Sequence, residues 1–194
     1  MQSFSIRENE KGNPVIEGYF AKFDEYYEVC PGWKEKISPG AFTKYLQSGG
    51  EIKVLWNHNS DIVMGCRSNG TAIFKEDDIG LWGSVEINRE DTESMNGLAR
   101  VKRRDVTKCS FGFDIETKEE TIDEDGTWID DIKTIYPLYE VSPCTFPAYE
   151  STEIYARNKE EHKSAVEEFK KRKFERWRDS VADKLKKMRG KNNA

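Results

Sequence analysis

Lys108-Cys109-Ser110-Phe111-Gly112-Phe113 alternates apolar residues with small or polar ones, and that is the period of a β-strand. On such a strand Cys109, Phe111, Phe113 and Ile115 share an apolar face, while Ser110, Gly112 and Asp114 share the other. A strand of this kind needs a sheet packed over a core, so the stretch predicts a β-rich domain. Ser110 is a nucleophilic hydroxyl turned away from the apolar side chains, and Gly112 beside it leaves open space. That arrangement suits a nucleophile reached by substrate, and a serine nucleophile calls for a base. The chain has two histidines, His58 and His162, and His162 lies in a highly charged tail. His58 is therefore the imidazole candidate of the globular part. Read without further context, Ser110 is a solvent-facing strand serine and His58 a turn residue between two asparagines.

Working outward, residues up to about 158 show short alternating or apolar runs broken by turn residues. Strands are expected over residues 15–23, 51–56, 71–75, 81–87, 106–118, 128–140 and 152–156. Asp77-Asp78-Ile79-Gly80 can close a hairpin, and Asp125-Gly126 joins the strand of Ser110 to the next one. Two helices interrupt the strands. One opens at Ser38-Pro39, with Ser38 as N-cap and Pro39 in the first turn, and stops at Gly49-Gly50. The other runs over about residues 92–104, with Met95, Leu98 and Val101 at spacing three and four cations near its C-terminus. The fold class expected is a β-rich α+β arrangement, a closed or nearly closed β-barrel with flanking helices, although a sandwich has the same periods.

The 194 residues suit one domain with an appendage, a core of roughly 150 residues burying about 68–70% of its unfolded surface. The net charge of −5 conceals a division: residues 159–194 carry 13 Lys and Arg against 7 Asp and Glu, leaving 18 against 29 in residues 1–158. An acidic body (1–158) and a basic amphipathic helical tail (159–194) follow. In the tail Val166, Phe169, Phe174, Trp177, Val181, Leu185 and Met188 form an approximate apolar stripe. It reads as packing on its own domain, as docking on a partner protein, or as nucleic-acid binding, the last disfavoured by the interspersed acids. No basic n-region with an apolar run opens the chain, and no apolar segment reaches spanning length, so a soluble intracellular protein is expected. Cys30, Cys66, Cys109 and Cys144 lack zinc or redox spacing and are expected reduced, with no metal site. Asp123-Glu124-Asp125-Gly126 does not match the offsets of an EF-hand loop and reads as a hairpin turn.

Four separated motifs, Ile37-Ser38-Pro39-Gly40-Ala41-Phe42, Leu55-Trp56-Asn57-His58-Asn59, Cys109-Ser110-Phe111-Gly112-Phe113 and the run from Leu138 to Tyr149 (LYEVSPCTFPAY), stand in the order seen in prohead proteases of tailed phages. Over about residues 14–156 the chain resembles that capsid maturation family, which is related to the herpesvirus assemblin proteases. The resemblance implies a serine endopeptidase on an assemblin-like β-barrel. It places the catalytic histidine on His58, the nucleophile on Ser110 and the third member on Glu140, with Asp61 and the acids of 77–78 and 123–131 as other carboxylates to weigh. It implies the phage major capsid protein and scaffold segments as substrates, self-cleavage, no cofactor, and a place inside procapsids assembling in the bacterial host cytoplasm.

On that assignment His58 takes the Ser110 proton as Oγ attacks the scissile carbonyl, and Glu140 orients the imidazole. By analogy the amides of a turn at Val141-Ser142 meet the oxyanion. Cys109 is the competing nucleophile, but its parity with Phe111 and Phe113 points it into the core. The rival from another class is a non-catalytic capsid-assembly or scaffold-binding protein.

Overall fold

A computed structural model of the chain describes residues 4–147 and 159–191. Two compact units are present, Met1–Ala156 and Arg157–Ala194. The described part of the first holds the strands β1 (Ser5–Glu8), β2 (Pro14–Lys22), β3 (Tyr27–Cys30), β4 (Trp33–Ile37), β5 (Lys53–Trp56), β6 (Asn59–Cys66), β7 (Ala72–Glu76), β8 (Gly80–Glu86), β9 (Lys108–Ile122) and β10 (Trp128–Cys144). It also holds the helices α1 (Thr43–Ser48) and α2 (Thr92–Arg103). The second unit is the helix α3 (Lys159–Lys191). The β-rich reading and the C-terminal helix are thus as expected.

The strands form two sheets. One is antiparallel throughout, in the order β1-β2-β8-β7. The other runs β3-β4-β10-β5-β6, and β9 pairs with β10 along its remaining edge. Across the sheets, β2 packs on β9 and β6 packs on β8, so that Phe20, Leu81, Ile37, Phe42, Phe111 and Val141 join one apolar core. No strand pairing among the described residues closes the two sheets into a barrel.

β10 organises the second sheet. It runs parallel to β4 over Trp128 to Ile132, and parallel to β5 at Glu140 and Val141. Between these partners its edge is taken by the loop after β4: Ser38 N–H donates to Ile132 O (2.9 Å) and Ile135 N–H donates to Ala41 O (2.9 Å). This is why the helix expected at Ser38 begins only at Thr43. Backbone groups of Ser38 and Ala41 are committed to β10, and Gly40 at φ +90° cannot continue a right-handed helix.

Along the same stretch eight steps of β10 pass six of β9, with register shifts between Ile132 and Glu140. Pro137, which has no N–H to give a ladder, lies among them. The extra residues put Ile132, Ile135, Leu138 and Val141 all in the core at a spacing of three, where an unbroken strand would alternate by two.

The two expected hairpins are present, Glu76 to Gly80 and Ile122 to Trp128. In the second, the Asp123 carboxylate accepts the N–H groups of Asp125 and Thr127, the hydrogen bonding of a turn. Helix α2 is capped by Asp91, which accepts from Glu93 N–H at 3.1 Å. The strand expected at 152–156 lies outside the described residues. Ile115, assigned to the core face, is exposed. All four cysteines carry thiols, those of Cys66, Cys109 and Cys144 buried. On α3, Phe174 and Trp177 are exposed with ring centroids 5.8 Å apart. No described helix is long and apolar enough to cross a membrane.

Candidate active site

His58 sits on the two-residue turn between β5 and β6, where Trp56 pairs with Asn59. Asn57 and His58 have φ of +55° and +59°, both left-handed, as a type I′ hairpin turn requires. Asn tolerates this conformation; a histidine, with its Cβ, holds it at a cost of order 1–2 kcal/mol. The turn is tied to the end of β10, and to Thr145 just after it, by two hydrogen bonds. Asn57 N–H donates to Pro143 O (3.0 Å), and Thr145 N–H donates to Asn57 Oδ1 (3.1 Å).

The imidazole reaches Glu140, with Nδ1 2.8 Å from Oε1 and side chains only 9% and 12% exposed. With Glu140 ionised, Nδ1 carries the proton and donates, which leaves Nε2 with a lone pair. The other carboxylate oxygen accepts the Ser142 hydroxyl at 2.6 Å, and Ser142 Oγ in turn accepts His58 N–H at 3.2 Å.

Register explains how these groups share a face. Ser110 lies directly across from Ser142, and Gly112 across from Glu140, and residues opposite one another in an antiparallel pair point the same way. Leu138, two residues before Glu140, faces Phe113 in the core instead. Two steps of β10 separate Leu138 from Glu140, where one step of β9 separates Phe113 from Gly112. That bulge turns the carboxylate out of the core and onto the face of Ser110. Gly112 is needed there: a Cβ at this position would stand 2.9 Å from Glu140 Oε1.

Ser110 is fully buried, not open as alternation alone suggested. Its Oγ and His58 Nε2 are both buried, and neither has a hydrogen-bond partner among the described residues. Leaving a buried polar group unmet costs about 1–3 kcal/mol, and exceptions of this kind call for a functional account. The other candidates are elsewhere. Asp61 is exposed on β6, Asp77 accepts the Tyr19 hydroxyl, and the side chain of His162 is outside the described set. Cys109 lies in the core, where burial first, and then Cys144 and Glu140, push its thiol pKa well up. Val141 and Ser142, read as a turn, instead continue β10. Ser142, Asn57 and Gly112 were not singled out for the parts they play, although Glu-x-Ser on a strand places both side chains on one face. A recess of about 650 Å³, walled by residues including Ile6, Arg7, Leu98 and Arg104, contains none of the site residues.

A buried His–Glu pair, and a buried serine hydroxyl on the strand paired with that of the glutamate, are groups suited to serine hydrolase chemistry. Residues 2–167 match the caudovirus prohead serine protease family, and the chain belongs to it. It is thereby grouped with the serine proteases of phage capsid maturation. Comparison with curated proteins and with solved structures returns no match.

Proposed function

We propose that the chain is a serine endopeptidase in which Ser110 is the nucleophile, His58 the general base and Glu140 the residue that orients it, cleaving capsid and scaffold segments, and itself, inside assembling procapsids in the host cytoplasm. The observation that carries this reading is the pair of buried, unmet atoms, Ser110 Oγ and His58 Nε2, beside a ring whose Nδ1 is already held by Glu140. An acceptor lone pair and a hydroxyl proton without partners are what proton transfer needs. In apo enzymes the bond between them is often formed only with substrate in place.

The chemistry follows from those groups. As Ser110 Oγ adds to the scissile carbonyl, its proton passes to Nε2, and Glu140 stabilises the imidazolium through Nδ1–H. Nε2 then returns the proton to the leaving amine. Water attacks the acyl-serine with His58 again as base, and Ser110 is restored. Backbone N–H groups meet the oxyanion, each worth about 10²–10³ in turnover. The contacts of β2 with β9 and of β6 with β8 support taking the two sheets as walls of the assemblin-like barrel. The domain of residues 1–158 would carry the chemistry, and the tail of residues 159–194, which presents Phe174 and Trp177, would dock on the shell.

The test is co-expression with the phage's capsid and scaffold proteins, followed by mass spectrometry of the fragments. Processing by the wild type and none by Ser110→Ala is expected. Intact capsid and scaffold with the wild type would favour the non-catalytic assembly role.

A further inference from the structure

Ser142 touches both halves of the His58–Glu140 unit. Its hydroxyl donates to Glu140 Oε2 at 2.6 Å, and the same oxygen accepts the His58 main-chain N–H at 3.2 Å. It is fully buried, so no solvent competes for these bonds. A carboxylate gripped at one oxygen by imidazole is free to turn about its last bond unless the other oxygen is also held. The turn that carries His58 is left-handed at two successive non-glycine residues, a conformation kept only when the surroundings over-determine it.

Resting on the triad reading above, we propose that Ser142 is a positioning residue: one hydroxyl fixes the rotation of Glu140 and the seat of the His58 turn together, and so keeps Nε2 aimed at Ser110. It is not a second nucleophile. Its proton is committed to Glu140, and it meets His58 at the main chain and not at the ring.

The experiment uses the full chain and a fluorophosphonate probe, which reports nucleophile activation without a known peptide substrate. Ser110 Oγ attacks phosphorus, fluoride leaves, and the serine proton passes to His58. Labelling at Ser110, located by mass spectrometry, should slow by about 10- to 100-fold in Ser142→Ala, the effect of one hydrogen bond to a charged group. It should recover in Ser142→Thr, which keeps the hydroxyl. In a Ser110→Ala background, the ¹⁵N spectrum of His58 should show the Nδ1–H tautomer, and Ser142→Ala should turn it into a mixture of tautomers. Should Ser142→Ala not fold, the shape-matched pair Ser142→Thr and Ser142→Val makes the same comparison. Wild-type labelling rates and an unchanged imidazole spectrum in the hydroxyl-free variants, with Ser110 still labelled, would overturn the positioning role alone. Undiminished labelling of Ser110→Ala, or label found on Ser142, would overturn the triad assignment as well.

Discussion

Replacing His58 by glycine or by alanine removes the same imidazole but leaves different backbones. At φ +59° an alanine keeps the left-handed penalty of a Cβ, about 1–2 kcal/mol. Glycine escapes it, and returns about 0.4–1 kcal/mol through its freer unfolded chain. The His58→Gly variant should therefore be more stable than His58→Ala by about 1 kcal/mol, worth roughly 2–4 °C in melting temperature for a unit of this size. Both variants lose the same bond to Glu140 and keep the same main-chain bond to Ser142, so the difference isolates the turn. Circular-dichroism melts in a Ser110→Ala background, which prevents self-cleavage, provide the measurement. An alanine variant as stable as the glycine variant, or more so, would refute the left-handed turn and with it the account of how His58 is aimed. Neither variant should process capsid protein.

Ser110→Ala and His58→Ala should each abolish processing, the double variant should lose little more, and Cys109→Ala should remain active; additive losses would show that the two do not act as a unit. Gly112→Ala sets a Cβ 2.9 Å from Glu140 Oε1 and should lower kcat while leaving KM nearly unchanged, as peptide kinetics would report. Phe174→Ser with Trp177→Ser should spare peptide cleavage and reduce incorporation into procapsids, measured by gel analysis of purified particles; normal incorporation would place the docking surface elsewhere. Glu51 is held down to about 2, chiefly by the Ser68 hydroxyl and then by Lys53, against a usual 4.5. A depressed carboxylate stabilises the fold above its unfolded pKa and loses that contribution as pH falls through the folded value. The stability gap between wild type and Glu51→Gln in urea melts should accordingly be present at neutral pH and close on acidification between those two values.

Period-two alternation was enough to read β2, β8 and the start of β9, because their inward and outward residues differ in polarity. It failed for β4, where Glu35 is buried between two lysines, so that an inward-facing charge makes a strand look like a loop. It found the strand β10 but not its inward-facing residues, because the bulges space the core residues by three. For the site, the motif order brought forward Ser110, His58 and Glu140, and parity placed Cys109 in the core. What parity could not supply was the burial of Ser110 or the clamp by Ser142. Both depend on the β5–β6 turn folding back onto β10, a contact between residues more than eighty positions apart.

The bulge before Glu140 means that this site is encoded partly as a count. A single residue gained in β9 between Gly112 and Phe113 would match two steps with two, restore strict alternation, return the carboxylate to the side of Leu138, and leave serine, histidine and glutamate all still spelled out in the chain. A descendant could thus fall silent by an insertion or deletion with every signature letter intact. Among relatives of this protein, the distance between Leu138 and Glu140, set against that between Gly112 and Phe113, is then as telling as the identity of these residues.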